Sequence, residues 1–147
     1  MSNRRRRQPD RALARAFVRN ARAFHEMGQA ARGRSGGSSA YYLAIAIELG
    51  LKAYLLHRGI TDQWNRVHIR HDLTKALRCA RMAGLRKIPE GIHEMAEVLS
   101  PLYASGALSK GVVEPSLDLS PEVADQAICA LLDNVQAFTG DDGMERR

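Results

Sequence analysis

A chain of 147 residues, 45% hydrophobic but only 5% aromatic, is long enough to bury a core as one domain. Abundant Ala and Leu, with no alternating runs of β-branched or aromatic residues, exclude a sheet-dominated fold. The longest apolar run, AYYLAIAI at 40–47, is ended by Glu48 and Lys52, too short for a membrane span, and no secretory signal is visible, so a cytoplasmic location is expected.

The net charge of +6 hides a partition: residues 1–35 carry ten arginines against Asp10 and Glu26, and residues 88–147 carry three basic side chains against eleven acidic ones. A basic front and an acidic back suit a polyanion on one face, or a like chain docking head to tail. Arg outnumbers Lys by 18 to 4, so a single arginine carries little information.

In chain order, residues 1–9 read as a disordered basic arm. A domain over 10–140 follows, and then a frayed tail over 141–147. The first helix starts at Pro9 and Asp10, with Leu13, Phe17, Asn20, Phe24 and Met27 as its inner stripe and Arg11, Arg15, Arg19 and Arg22 opposite. GRSGGSS is a flexible linker. Ser38 or Ser39 caps a second helix, apolar nearly all round and therefore central, which closes at Gly59. Glu48 is the anomaly inside it: a buried carboxylate needs a partner, and Lys52 one turn later is the simplest one. ITDQWNRVHI reads as a loop. A third helix runs from His71 or Asp72 to Gly84, with Leu73, Ala76, Leu77 and Ala80 inward. A fourth starts at Pro89 and Glu90 and carries Ile92, Met95, Leu99 and Leu102 or Tyr103. After an irregular stretch, Ser120, Pro121 and Glu122 open a fifth, continued by Val123, Ala127, Ala130 or Leu131, and Phe138 to Gly140. The expected fold is all-α, an antiparallel bundle of about five helices.

The chemistry-bearing residues gather at RVHIRHDLTKAL. If His71 opens the third helix, His71, Lys75 and Arg78 fall on one face, Arg66 and Arg70 approach from the loop, and free amides at the helix start favour an anion. One imidazole among several cations is what a phosphodiester needs; the same string is equally an ordinary helix start with a solvated basic face. Arg4, Arg5, Arg6 and Arg7 suit non-specific nucleic-acid or acidic-protein contact, and Tyr41, Tyr42 and Trp64 are the aromatics available for base stacking. His68, His71 and Asp72 are metal-ligating types without a fourth ligand spaced to complete a set, so neither metal nor cofactor is expected. His25, His57 and His93 are isolated and expected at the surface or at helix ends. Cys79 and Cys129 match no metal or redox spacing and are expected as buried, reduced thiols.

SAYYLAIAIELGLKAYLLHRG followed by HDLTKALRCARMAGL resembles the core of HEPN domains, over about residues 38–103, through an apolar second helix with an internal E-L-x-L-K and an H-D-L-x-x-L helix start. The resemblance implies an all-α bundle that dimerises and acts on or binds RNA or a nucleotide. Nuclease members carry Arg, four to six residues, then His, and Arg66 to His71 fits with four between. The resemblance assigns proton transfer to His71, the phosphate to Arg66 and the acidic position of the second helix to Glu48. It implies a metal-free endoribonuclease leaving a 2′,3′-cyclic phosphate, to which the residues themselves add Arg70, Lys75 and Arg78 as candidate phosphate contacts. Val67 departs from the polar residue that usually follows the arginine, and Arg70 stands where members without the nuclease motif often have glycine. The alternatives are a non-catalytic dimeric protein-interaction module, or the toxin of a toxin–antitoxin or defence system with an antitoxin partner.

Overall fold

The computed structural model describes residues 8–33, 38–111 and 115–139; the expected arm up to Arg7, most of the GRSGGSS linker, and the tail from Gly140 lie outside them. Asp10 opens α1 (Arg11–Ala31) by accepting from the Leu13 amide at 3.1 Å, as an N-cap carboxylate does. Its buried stripe is Ala14, Val18, Ala21, His25 and Gly28, one residue on from the expected stripe of Leu13, Phe17, Asn20, Phe24 and Met27. The two stripes share the same helical spacing, so periodicity alone does not separate them. Close approach does: a Cβ on Gly28 would stand 2.9 Å from Leu43 Cδ2, so the small residues take the contact while Phe17 and Phe24 flank it, half-buried.

The arginines of α1 and of its C-cap, Arg32, do not simply face solvent. Arg22 binds Asp133 at 2.8 Å and Gln136 at 2.7 Å, Arg32 binds Asp125 at 2.9 Å, and Arg15 donates to the Thr139 carbonyl at 3.4 Å. All four partners lie on α6 (Pro121–Thr139). Part of the charge partition in the sequence is thus satisfied inside one chain.

α2 (Ser38–His57) touches α1, α6 and the two longer helices that precede α6 in sequence. Ile47, Leu51, Tyr54, Leu55 and Leu56 are fully enclosed, each apolar side chain of that size contributing roughly 1.5–3 kcal/mol by leaving water. By length and composition α2 would cross a bilayer, but 67% of that window is buried in the bundle.

Within the stretch 60–69, expected as a loop, residues 62–69 are helical. Thr61 Oγ1 accepts from the Trp64 amide at 3.0 Å and starts α3 (Asp62–Trp64). The chain then widens into a π turn over Asn65–Ile69, closed by Arg70 N donating to the Asn65 carbonyl at 2.9 Å. Asn65 and Ile69 are its buried residues. α4 (Leu73–Met82) and α5 (Ile92–Ala104) follow, and Ser120 Oγ caps α6 through the Val123 amide at 3.2 Å. On α6, Ala124, Ile128, Leu132 and Val135 are inward together with the expected Ala127 and Leu131, whereas Val123 and Phe138, expected inside, are each 43% exposed. The result is an all-α fold with six α-helices, one π turn and no strand among the described residues, in which α1, α4, α5 and α6 pack against α2.

Candidate functional site

Glu48 sits at the convergence of α2, α5 and the start of α4. Its Oε2 accepts from Lys52 Nζ at 2.5 Å. Its Oε1 accepts from the Tyr103 hydroxyl and pairs with His71 Nδ1 at 3.2 Å. The carboxylate is buried while the His71 side chain is 59% exposed. Burial, and after it the Glu48 carboxylate, push the Tyr103 hydroxyl well above its usual value, so it remains a donor. The Tyr103 ring also packs against the imidazole, their centroids 4.9 Å apart. The expected pair with Lys52 is present, and Glu48 also meets His71, a contact the sequence did not suggest. A neutral imidazole donating Nδ1–H to Glu48 keeps its lone pair on Nε2, at the far side of an exposed ring.

His71 does not open α4. It lies one residue before the cap, Asp72, whose Oδ1 accepts from the Lys75 amide at 3.0 Å, so the His71 ring turns towards α2 and α5. The helix start is also less available to an anion than expected: Leu73 N donates to Ser100 Oγ at 2.9 Å, and Ser100 Oγ in turn donates to Asp72. Burial raises the Asp72 carboxyl, but the Lys75 amide, the Thr74 and Ser100 hydroxyls and the nearby Arg78 charge outweigh it and hold the group below its usual value.

The residue before His71 is backbone-strained. Arg70 has φ 55° and ψ −120°, a glycine-type conformation that costs a side-chain-bearing residue about 1–3 kcal/mol. Its carbonyl accepts from Lys52 Nζ at 2.7 Å, tying the turn to the Glu48 cluster.

Arg66 is 74% exposed, and its guanidinium binds Asp62 at 2.8 Å rather than His71. Next to it Asn65 is fully buried, and neither amide atom of its side chain has a hydrogen-bond partner among the described residues, a rare cost for a native fold. It falls in a π turn, a feature frequent at functional sites. Trp64 stacks on His68, with centroids 4.6 Å apart, while Tyr41 and Tyr42 form a separate pair whose Tyr41 ring contacts Tyr103. The three expected stacking aromatics are thus two clusters. Arg70 and Arg78 are exposed and Lys75 half-buried. Arg78 belongs to an open cleft of about 480 Å³ between α4 and α5, with Thr74, Arg81, His93 and Glu97 on its walls. Arg4, Arg5, Arg6 and Arg7 lie outside the described residues.

Several partners were not anticipated. Tyr103 was expected only as one of two inward choices on its helix, and Ser100 not at all. The signal available was chemical: a tyrosine on an apolar stripe needs a partner for its hydroxyl, and a buried Glu48 needs donors. His25, expected at the surface or at a helix end, is buried within α1 and bonded to Asp125 at 3.0 Å. The two thiols are free, with Cys79 half-buried and Cys129 exposed rather than both buried.

No family model, no curated protein and no solved structure matches the chain.

Proposed function

We propose that the chain is a HEPN-like helical domain that engages RNA at the face around His71 and cleaves it without a metal. One observation carries this reading: an exposed imidazole whose Nδ1 is held by a buried, multiply bonded carboxylate. That is how a general acid–base is oriented, with Nε2 left to the reacting group. In this reading His71 takes the 2′-hydroxyl proton or protonates the leaving 5′ oxygen, and the 2′ oxygen displaces it to leave a 2′,3′-cyclic phosphate. Glu48 positions the ring. Arg66, exposed on the π turn, leaves Asp62 to hold a phosphate oxygen, and Arg70, Lys75 and Arg78 supply further cationic contact. The protein acts in the cytoplasm as a homodimer, for which Trp64 and Val67, both exposed beside the site, are apolar surface that a second copy would cover.

A second reading is favoured by Arg66. Its ion pair with Asp62 and the internally satisfied start of α4 suit a non-catalytic dimeric module in which His71 only closes the turn. Incubation of wild type and His71→Ala with RNA in chelator separates the two. Cleavage by wild type alone, with cyclic phosphate ends, is the expected result. Equal cleavage by both, or none by either, ends the nuclease reading.

A further inference from the structure

At the seam of α1 and α6, on elements that contribute nothing to the Glu48 cluster, three side chains form a second constellation. His25 is buried; its Nε2 is 3.0 Å from Asp125 Oδ1 and its Nδ1 is 3.9 Å from Cys129 Sγ, within hydrogen-bond reach of sulfur. Asp125 and Cys129 are one turn apart on α6, so a single imidazole from α1 spans both. Arg32 Nη2 also donates to Asp125 Oδ1, at 2.9 Å. Burial raises the Asp125 carboxyl, but its bonds from Arg32, His25 and Gln29 prevail and hold it below its usual value. With Nε2–H donating to that anion, the ring's lone pair lies on Nδ1, on the side of the thiol. A purely structural tie between α1 and α6 needs only the His25–Asp125 bond. It does not call for a thiol at the other ring nitrogen, nor for that thiol to be exposed, as Cys129 is.

We propose that Cys129 is a nucleophilic thiol, with His25 as its base and Asp125 as the positioning residue, and that it exchanges with low-molecular-weight disulfides. The Cys129 proton passes to His25 Nδ1 and Sγ attacks one sulfur of the disulfide. The S–S bond breaks, a Cys129 mixed disulfide forms, and the departing thiolate takes the proton back from His25. Cys129 is oxidised and the released thiol is reduced, so no further oxidant is required. The proposal is independent of RNA cleavage at His71.

The test incubates the full wild-type chain at neutral pH with oxidised glutathione and follows each cysteine by peptide mass. Cys129 is expected to react at least about tenfold faster in the folded chain than in the same chain unfolded in urea, because folding alone only restricts access to a thiol. Cys79 is expected to slow on folding. His25→Gln and Asp125→Asn are expected to bring Cys129 down towards its unfolded rate. Cys129 reacting no faster folded than unfolded overturns the proposal, as does an unchanged rate in a folded His25→Gln chain; the wild-type comparison decides the matter even where a variant fails to fold.

Discussion

Lys52 Nζ reaches the carbonyl oxygen of Arg70 at 2.7 Å while also holding Glu48 at 2.5 Å. One buried ammonium thereby links the central helix to the backbone immediately before His71, and the orientation of the imidazole depends on both bonds. Replacing Lys52 with Met leaves Glu48 without its cation and frees the Arg70 carbonyl. The expected cost is about 3–5 kcal/mol, the usual penalty for removing one partner of a buried pair. Lys52→Met combined with Glu48→Gln should recover a large part of it, because the uncompensated charge is then gone. Urea unfolding of the single and double variants measures both.

Arg70 gives a sharper separation of stability from binding. Glycine takes its backbone conformation without a steric penalty, so Arg70→Gly is expected to leave stability unchanged or raise it by about 1 kcal/mol. The same change removes an exposed cation beside His71 and should weaken RNA binding at low salt. A fall in stability with unaltered binding would show that the Arg70 side chain serves the fold instead.

For the proposed chemistry, His71→Ala should lower metal-free cleavage by about 10²–10⁴-fold, the range of a general acid–base contribution. Because the ring is mostly exposed, its removal should change the unfolding midpoint little. Glu48→Gln keeps the shape of the carboxylate and loses the anion that orients His71, so it should also lower the cleavage rate while RNA affinity is retained. Single-turnover kinetics beside a filter-binding titration distinguish these effects.

Acid sensitivity follows from Asp72 and Asp125. Both carboxyls are held below the ordinary value of 3.8 in the folded chain. A lowered folded value means that the stabilisation is fully present above the ordinary value and is lost as pH falls through the folded one. Thermal stability should therefore fall as pH drops below about 4. Asp72→Asn and Asp125→Asn should each be less stable than wild type at neutral pH and lose less on acidification. Parallel curves for wild type and both variants would remove these two groups from the acid response.

Most helix starts were legible from caps and periodicity: Asp10, Asp72, and Ser120 with Pro121 start helices where the sequence places them, whereas α5 starts at a Gly91 cap rather than at the expected Pro89 and Glu90. What sequence could not give was the register between helices. α1 offers two adjacent stripes of equal spacing, and only the approach of Gly28 to Leu43 selects one. The π turn was hidden because five residues per hydrogen-bonded turn break the 3.6-residue count through Asn65–Ile69, which left the segment looking like a loop. At the site, Glu48, Lys52 and His71 were singled out, yet Tyr103 and Ser100 reach them from α5 through tertiary packing that no local spacing encodes. Reading His71 as part of the helix face rather than as the residue before its cap placed the imidazole among the wrong neighbours.

The bonds from α1 to α6 also limit how the molecule meets a polyelectrolyte. Arg22 and Arg32 already have carboxylate counter-charges within the chain, so they displace few cations from a nucleic-acid backbone, and the exposed cations of the proposed site are Arg66, Arg70 and Arg78. Contact confined to about three phosphates of a single strand would give a log–log dependence of affinity on salt with a slope near −2. Despite its +6 charge, the described part of the protein should hold RNA over a short footprint, and a markedly steeper slope would mark the added grip of Arg4, Arg5, Arg6 and Arg7.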